Sequence, residues 1–207
     1  MHKRLKAEWE QQAYIQLIYP FIQSDWSCCY DEVCQYYDQL IKIITKKEKV
    51  MLISSKPLEQ FKNNSFVQII PYINNDTWAR DTSCITIEDN LNIKLLNFTF
   101  DAWGKKFDAS LDNAMNEYIN PESKKIDFVL EGGSIDSNGD GIVLCSKKSV
   151  LNKNRQKTSI KEVKKLFKQE MGVDKILFLN NGSLSGDDTD SHIDTLCRFV
   201  NKNTIIY

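Results

Sequence analysis

The chain repeats one order of secondary-structure signals, and this repeat restricts the folds open to it. A strand, a polar loop, a hairpin, a helix and a further strand recur, with polar loops at Asp81, Glu131 and His192. These loops are about 50 and about 60 residues apart, and a period of roughly 50 residues indicates a propeller or solenoid array. Equivalent loops of a propeller converge on one axis, so three distant loops would build one site. An ordinary α/β sandwich with coincidental spacing is the alternative.

Hydrophobic periodicity and turn residues predict the individual elements. Strands are predicted at 13–22, 49–54, 65–72, 126–130, 173–179 and 204–207, hairpins at 84–100 and 134–146, and helices at 31–47 and 108–119. Another helix follows the capping box of Ser159 and Glu162, and Gly172 is placed to end it. A strand is also predicted to start near Ser191, which would put His192 and Asp194 on the same face.

Composition excludes several classes of partner. Apolar residues make up 42% of the 207 and charged residues 27%, typical of a globular protein, and the net charge of −1 gives no basic surface for nucleic acid or membranes. No apolar run approaches the roughly 18 residues of a membrane span, and the N-terminus lacks a signal-peptide h-region. The six cysteines contain no CxxC pair, and the adjacent Cys28 and Cys29 do not readily bridge each other. We therefore expect reduced thiols in a cytoplasmic protein.

The segment 186–194 (GDDTDSHID) is the densest cluster of ionisable side chains. It contains His192, and the only other histidine is His2. Its oxygen-rich composition allows a metal-dependent hydrolase or a metal-binding module as one hypothesis. The candidate ligands are Asp187, Asp188, Asp190, His192 and Asp194. An acidic, solvated loop is the plainer interpretation.

Two further segments have the chemistry of a cation site. In 76–81 (DTWARD), carboxylates flank Trp78, and a carboxylate with an indole face suits a planar guanidinium. An internal ion pair of Arg80 with an aspartate is the alternative. Glu131 precedes two glycines that leave space beside its carboxylate. The segment 136–141 (DSNGDG) resembles the start of a calcium loop, but Lys147 stands where a bidentate Glu is needed, so it is interpreted as a hairpin turn.

Six segments together resemble the agmatine deiminase family, which is related to the bacterial peptidyl-arginine deiminases. They occur in family order across nearly the whole chain: 7–10 (AEWE), 75–81 (NDTWARD), 97–98 (NF) with 102–104 (AWG), 130–134 (LEGGS), 151–152 (LN) with 154–155 (NR), and 186–194 (GDDTDSHID). The resemblance implies an α/β fold, specifically a five-bladed α/β propeller (pentein), with the site on its axis. It implies hydrolysis of agmatine to N-carbamoylputrescine and ammonia, a step towards polyamines, without metal or cofactor.

The resemblance also implies roles for individual residues. A cysteine thiolate attacks the guanidinium carbon, and water hydrolyses the resulting amidino intermediate. His192 matches the catalytic histidine, Glu131 the acidic residue that orients it, and Asp81 and Asp194 the carboxylates that hold the guanidinium. Trp78 is a further candidate for substrate binding. The small guanidinium substrate is the expected partner, and homo-oligomer formation is left open.

The chain departs from the family pattern at several positions. Gln11 stands where Pro is frequent, Lys105 and Ser191 where Gly is frequent, and Lys153 where Pro is frequent. None of the six cysteines lies in the Gly-rich C-terminal setting of the family nucleophile. We therefore expect residues 1–207 to be a single catalytic propeller domain, truncated after about three blades and inactive alone.

Three alternatives to an agmatine deiminase remain at this stage. A peptidyl-arginine or free-arginine deiminase would need an arginine that binds a substrate carboxylate, and Arg80 and Arg155 are candidates. The metal-dependent hydrolase is the second alternative, and a non-catalytic fragment is the third.

Overall fold

The computed structural model describes residues 3–207 and has the mixed α/β composition that the sequence predicts. The strands are β1 (Lys3–Leu5), β2 (Ile15–Ile18), β3 (Val50–Ser54), β4 (Val67–Pro71), β5 (Ile85–Asp89), β6 (Asn92–Thr99), β7 (Lys124–Val129), β8 (Ile135–Ser137), β9 (Ile142–Ser146), β10 (Lys175–Leu179), β11 (Arg198–Asn201) and β12 (Thr204–Ile206). The α-helices are α1 (Tyr30–Ile44), α2 (Ala79–Thr82), α3 (Ala102–Lys105), α4 (Ser110–Ile119), α5 (Lys147–Val150) and α6 (Ile160–Met171). No helix within residues 3–207 combines the length and the apolar character needed to cross a membrane.

The chain divides into two compact units. One contains the residues up to Glu10 together with Arg80–Asp108 and Asn116–Tyr207, and the other contains Gln11–Ala79 and Ala109–Met115. We call them the larger and the smaller unit. They are described separately below.

The smaller unit is built on a parallel sheet in the order β2-β3-β4. The central strand β3 is buried along its whole length, which explains its nearly continuous apolar sequence. Helix α1 lies between β2 and β3 in the chain and buries Ile41 in a core that includes Tyr19 and Leu52. The apolar residues of α1 recur at helical spacing, as expected of an amphipathic helix that connects two parallel strands.

The larger unit uses one structural plan twice. Strands β5 and β6 form an antiparallel hairpin, α4 follows, and β7 then pairs parallel to β6. Strands β8 and β9 form the next hairpin, α6 follows, and β10 pairs parallel to β9. Strands β11 and β12 make a further hairpin. The predicted hairpins at 84–100 and 134–146 are therefore confirmed, and a hairpin follows each of the loops that carry Asp81, Glu131 and His192.

Both repeats of the larger unit share one hydrophobic core. Ile87 and Phe98 come from the first hairpin, and Val143 from the second, while Phe167 and Met171 come from α6. All are buried. Because the apolar faces of two successive sheets close on each other, the loops that precede their hairpins are held at fixed positions.

Helix α6 begins and ends as the sequence predicts. Ser159 and Glu162 form both bonds of the capping box, and Gly172 ends the helix in the left-handed conformation at φ 68°. The hairpin turn between β5 and β6 is Asn90-Leu91, one residue later than predicted, and both residues have positive φ as a tight two-residue turn requires. The short elements β1 and α5 were not predicted.

The strand predicted to start near Ser191 is wrong. Asp190 and Ser191 have φ values of 63° and 68°, so the backbone cannot be extended there. A 3-10 turn at Ile193–Thr195 follows, and β11 begins only at Arg198. The fully buried side chain of Ile193 anchors this turn among Leu144 and Phe199, which accounts for the apolar signal in the sequence.

Candidate active site

Four predicted site residues of the larger unit come together around one glycine. Asp81 lies in α2, Glu131 directly precedes the 3-10 turn Gly132–Ser134, and His192 and Asp194 flank Ile193. A Cβ atom built on Gly133 would come closer than 3.0 Å to His192 Nδ1, Asp81 Oδ1 and Asp194 Oδ2. His192 and Asp194 therefore face the same point although they do not lie on the predicted strand.

The His192 imidazole lies between two carboxylates. Its Nδ1 is 3.6 Å from Asp81 Oδ1, and its Nε2 is 3.8 Å from Glu131 Oε2. The side chain is almost fully buried, and Nε2 has no hydrogen-bond partner among the described residues. Burial alone would lower the pKa of His192, but the three surrounding carboxylates of Glu131, Asp81 and Asp194 raise it above its ordinary value. The site therefore favours the imidazolium form.

Glu131 is held in its ionised form by a buried arginine. Its Oε1 accepts a hydrogen bond of 2.8 Å from Arg155 Nε, and its Oε2 accepts one of 3.1 Å from the Ser134 hydroxyl. Burial opposes ionisation, yet the imidazole of His192 and the guanidinium of Arg155 lower the pKa of Glu131 below its ordinary value. The lowered pKa favours an ionised Glu131 beside the imidazole at neutral pH.

Arg155 also connects Glu131 to the loop that carries His192. Its guanidinium donates to the Thr189 carbonyl at 2.8 Å and to the Asp190 carboxylate. The side chain is fully buried, so its planar fork is committed to protein groups. Arg155 is therefore a structural arginine, and its guanidinium is not available to bind a substrate carboxylate.

Asp81 is fixed by two donors from different segments. Its Oδ1 accepts from the Gly133 backbone at 2.8 Å, and its Oδ2 accepts from the Trp103 indole at 3.0 Å. Trp103 is buried against Phe100, with ring centroids 5.2 Å apart. These contacts orient the carboxylate and leave Oδ1 facing His192.

The carboxylates of Asp81 and Asp194 have too little positive charge nearby to offset their burial. Burial first, and the mutual repulsion of Asp81 and Asp194, raise the pKa of Asp194, and burial likewise raises that of Asp81. Such raised pKa values mean that both carboxylates are less stable as anions here than in water. A bound cation would relieve this cost, and a planar cation with several N–H donors would match two carboxylates best.

Trp78 lies in the smaller unit. Its side chain is about half exposed, and its ring lies 5.9 Å from that of Trp26. Its backbone N–H donates to Asp76 Oδ1 at 3.3 Å. The substrate contact expected of Trp78 stays a prediction.

Two of the aspartates proposed as metal ligands, Asp187 and Asp190, have other partners. Asp187 accepts from the backbone and hydroxyl of Thr189 and from the backbone of Ser191, while Asp190 pairs with Arg155. Within residues 3–207, no group of three or more His, Cys, Asp or Glu side chains has the geometry to hold a metal ion. The loop is therefore closed by its own hydrogen bonds.

The three cysteines of the larger unit have thiol pKa values above the ordinary value, and one of the three is buried while the other two are partly exposed. Cys145 is fully buried in the core, and burial raises the pKa of its thiol. Burial also raises the pKa of Cys84 to about 11 and that of Cys197 above its ordinary value. A nucleophilic cysteine needs the opposite shift, towards the thiolate.

Three residues that shape the site have contacts that the sequence did not predict. Trp103, Gly133 and Arg155 all fall inside the quoted motifs, but their partners are distant along the chain. The paired glycines after Glu131 were the one available signal, because adjacent glycines indicate a close approach. That close approach is the one made by His192, Asp81 and Asp194 at Gly133.

Residues 4–207 match the family of Porphyromonas-type peptidyl-arginine deiminases. The chain belongs to this family, which also takes in agmatine deiminases.

Individual relatives extend the match. The chain is 42% identical to a cysteine-to-serine variant of C. jejuni agmatine deiminase solved with substrate bound, with a TM-score of 0.94 over 99% of this chain and 64% of that one. A second C. jejuni agmatine deiminase structure is 41% identical, with a TM-score of 0.88 over 98% of this chain and 64% of that one. The agmatine deiminase of Stutzerimonas stutzeri is 27% identical over 98% of this chain and 59% of its own length. The 207 residues thus span about 60–65% of the length of these relatives.

Proposed function

We propose that this chain forms the guanidinium-binding and acid–base part of an agmatine deiminase, which hydrolyses agmatine to N-carbamoylputrescine and ammonia. The observation that carries the proposal is the convergence of Asp81 Oδ1, Asp194 Oδ2 and His192 Nδ1 at Gly133. Two carboxylates with raised pKa values need a cation, and an imidazole with a raised pKa is ready to donate a proton. The relatives named above bear the same activity in their names.

The mechanism follows from the charges of these residues. Asp81 and Asp194 hold the guanidinium in plane, which positions its carbon for attack by a thiolate. When the C–N bond breaks, the His192 imidazolium gives its proton to the departing ammonia. The neutral imidazole then takes a proton from water, and the resulting hydroxide attacks the amidino carbon and releases the thiolate. Glu131 keeps the imidazole oriented and favours its charged form.

The nucleophile in this proposal is a cysteine from outside residues 1–207. Its support is the environment of the cysteines in the larger unit, since Cys84, Cys145 and Cys197 all have raised pKa values. The remaining blades of a five-bladed propeller would lie in the same missing part of the protein as that cysteine. The two hairpin–helix–strand repeats of the larger unit would be blades that are already present.

Every arginine within residues 3–207 is paired with a carboxylate, and this favours agmatine over arginine as the proposed substrate. Arg4 pairs with Glu10 and Glu88, Arg80 with Glu8, Arg155 with Glu131 and Asp190, and Arg198 with Glu8 and Asp136. Agmatine is arginine without its α-carboxylate. Peptidyl-arginine is the second candidate, because the matching family is described by that activity.

The test is ammonia release from agmatine, free arginine and an arginine-containing peptide. Each would be given to the 207-residue chain and to a chain extended along its reading frame. We expect turnover of agmatine by the extended chain alone, unaffected by a metal chelator and abolished by a thiol-alkylating reagent. Preference for the peptide would replace agmatine as substrate, and loss of activity with chelator alone would favour the metal-dependent hydrolase.

The 207-residue chain alone tests where the nucleophile lies. Thiol-dependent turnover by residues 1–207 would put the nucleophile among the six cysteines present. Binding of agmatine without turnover, measured by titration calorimetry and lost in Asp194→Asn, is the expected result.

A further inference from the structure

Two neighbouring cysteines at the start of α1 present their thiols together. Cys28 and Cys29 end a 3-10 helix (Asp25–Cys29) that Ser24 caps by accepting a hydrogen bond from the Trp26 backbone. Cys28 is exposed and Cys29 partly so. Their Sγ atoms are 2.7 Å apart. The pair is therefore a surface dithiol whose sulfur atoms already face each other.

A direct disulfide between these residues is disfavoured by the backbone. Consecutive Cα atoms are about 3.8 Å apart across a trans peptide, whereas disulfides join Cα atoms about 4.4–6.8 Å apart. Inserting one atom between the two sulfur atoms lengthens the bridge and removes this conflict. The geometry thus suits an atom that forms two bonds to sulfur.

We infer that Cys28 and Cys29 form a binding site for organic compounds of trivalent arsenic, held as a cyclic dithiolate. Thiol sulfur selects soft, thiophilic centres of this kind. Zinc would require about four ligands in a tetrahedron, and no group of three His, Cys, Asp or Glu side chains suited to a metal is found within residues 3–207. An arsenic atom that already carries one organic group needs two sulfur ligands and no more.

The reaction balances without an oxidant or a reductant. With phenylarsine oxide, the two S–H protons pass to the oxide oxygen, which leaves as water, and two As–S bonds replace the As–O bond. Arsenic stays trivalent throughout. Hydrogen bonding with Cys28 raises the pKa of Cys29, so the pair brings the protons that this exchange consumes.

The experiment is intact-mass spectrometry of the 207-residue chain after treatment with equimolar phenylarsine oxide. We expect one adduct that survives an excess of a monothiol, because the second sulfur binds at a high effective concentration. A small dithiol competitor should remove it. Peptide mapping of the unmutated chain should show that the adduct protects Cys28 and Cys29 together from maleimide.

Matched variants identify the site. Cys28→Ser and Cys29→Ser should each lose the monothiol-resistant adduct, while Cys34→Ser, which changes the next cysteine along the chain, should keep it. Retention of the adduct in both Cys28→Ser and Cys29→Ser, or failure of the unmutated chain to form it, would overturn the inference. The inference does not depend on deiminase activity, since neither cysteine belongs to the candidate active site.

Discussion

The charge of His192 is set by its neighbours, and a titration can measure it. Glu131, Asp81 and Asp194 raise its pKa against the opposing effect of burial. NMR titration of the imidazole should therefore give a pKa above the ordinary value of about 6.5. His2, which lies outside the described residues, is identified by its loss in His2→Ala.

Removing one carboxylate should reverse part of this shift. Glu131→Gln should lower the pKa of His192, because the amide keeps the shape of the side chain but not its charge. A His192 pKa at or below the ordinary value in the unmutated chain would contradict the electrostatic account. In the extended chain, His192→Ala should abolish turnover and His2→Ala should leave it intact.

Asp81 is expected to contribute to substrate binding through its charge. Asp81→Asn keeps one side-chain oxygen and the size of the side chain, so the fold should be preserved while guanidinium binding becomes weaker. Loss of one partner of a buried charge pair typically costs about 2–5 kcal/mol. Steady-state kinetics of the extended chain should show turnover nearly abolished.

The control for Asp81 is Asp127→Asn, which makes the same chemical change at an exposed position of β7. Kinetics of Asp81→Asn that match those of the unmutated protein would exclude this residue from the site.

Among the secondary-structure elements, the turn Gly132–Ser134 requires a residue without a side chain at position 133. Gly133→Ala would push a methyl group against His192, Asp81 and Asp194. Overpacking of this kind costs about 1–3 kcal/mol, measurable as a lower free energy of unfolding in urea. The pKa of His192 should change as well, because its carboxylate neighbours must move.

Gly186→Ala is the matched control for Gly133→Ala. A Cβ atom there meets nothing within 4 Å, although φ is +86°. Backbone strain of about 1–2 kcal/mol is expected, with no effect on the pKa of His192. Equal effects of both variants on that pKa would mean that the close contacts at Gly133 are unimportant.

Helix α3 contains one residue whose replacement by glycine should stabilise the protein. Lys105 is exposed and has φ 66°, a left-handed conformation that costs a side chain about 1–2 kcal/mol. Lys105→Gly should therefore raise the free energy of unfolding by about 1 kcal/mol after the entropy of the unfolded glycine is deducted. Lys105→Ala keeps the Cβ atom and should give no such gain. An equal free energy of unfolding in the two variants would show that the backbone at Lys105 is not strained.

For the molecule as a whole, one buried carboxyl of the smaller unit should make stability depend on pH. Burial first, and then Asp25 and Asp112, raise the pKa of Asp76 to about 6 from 3.8. An acid with a raised pKa in the folded state adds stability below its unfolded value, and this stability is lost as the pH rises through 6. The chain should therefore gain about 1–3 kcal/mol between pH 7 and pH 4 from this group.

Urea unfolding at pH 7, 6, 5 and 4 would measure this dependence. Asp76→Asn can still accept the backbone hydrogen bonds of Thr77 and Trp78, and it should flatten the curve. An equally steep curve in that variant would assign the pH dependence to other groups.

The sequence predicts well those features that are local or periodic. The capping box of Ser159 and Glu162 and the hairpin around Asn90 depend on neighbours within a few residues, and both are confirmed. The strand near Ser191 fails because two left-handed residues and the buried Ile193 respond to tertiary packing. The structural role of Arg155 was not predicted for the same reason, since the atoms that it binds lie far away in the chain.

The loops that hold Asp81 and His192 are separated by roughly 110 residues of chain, so their meeting is costly in loop-closure entropy. During synthesis, Asp81 leaves the ribosome long before His192 exists. A nascent chain therefore carries an unpaired acidic half-site for several seconds, because translation adds about 5–20 residues per second. The acidic half-site should therefore stay incomplete until the loop that carries His192 has been made.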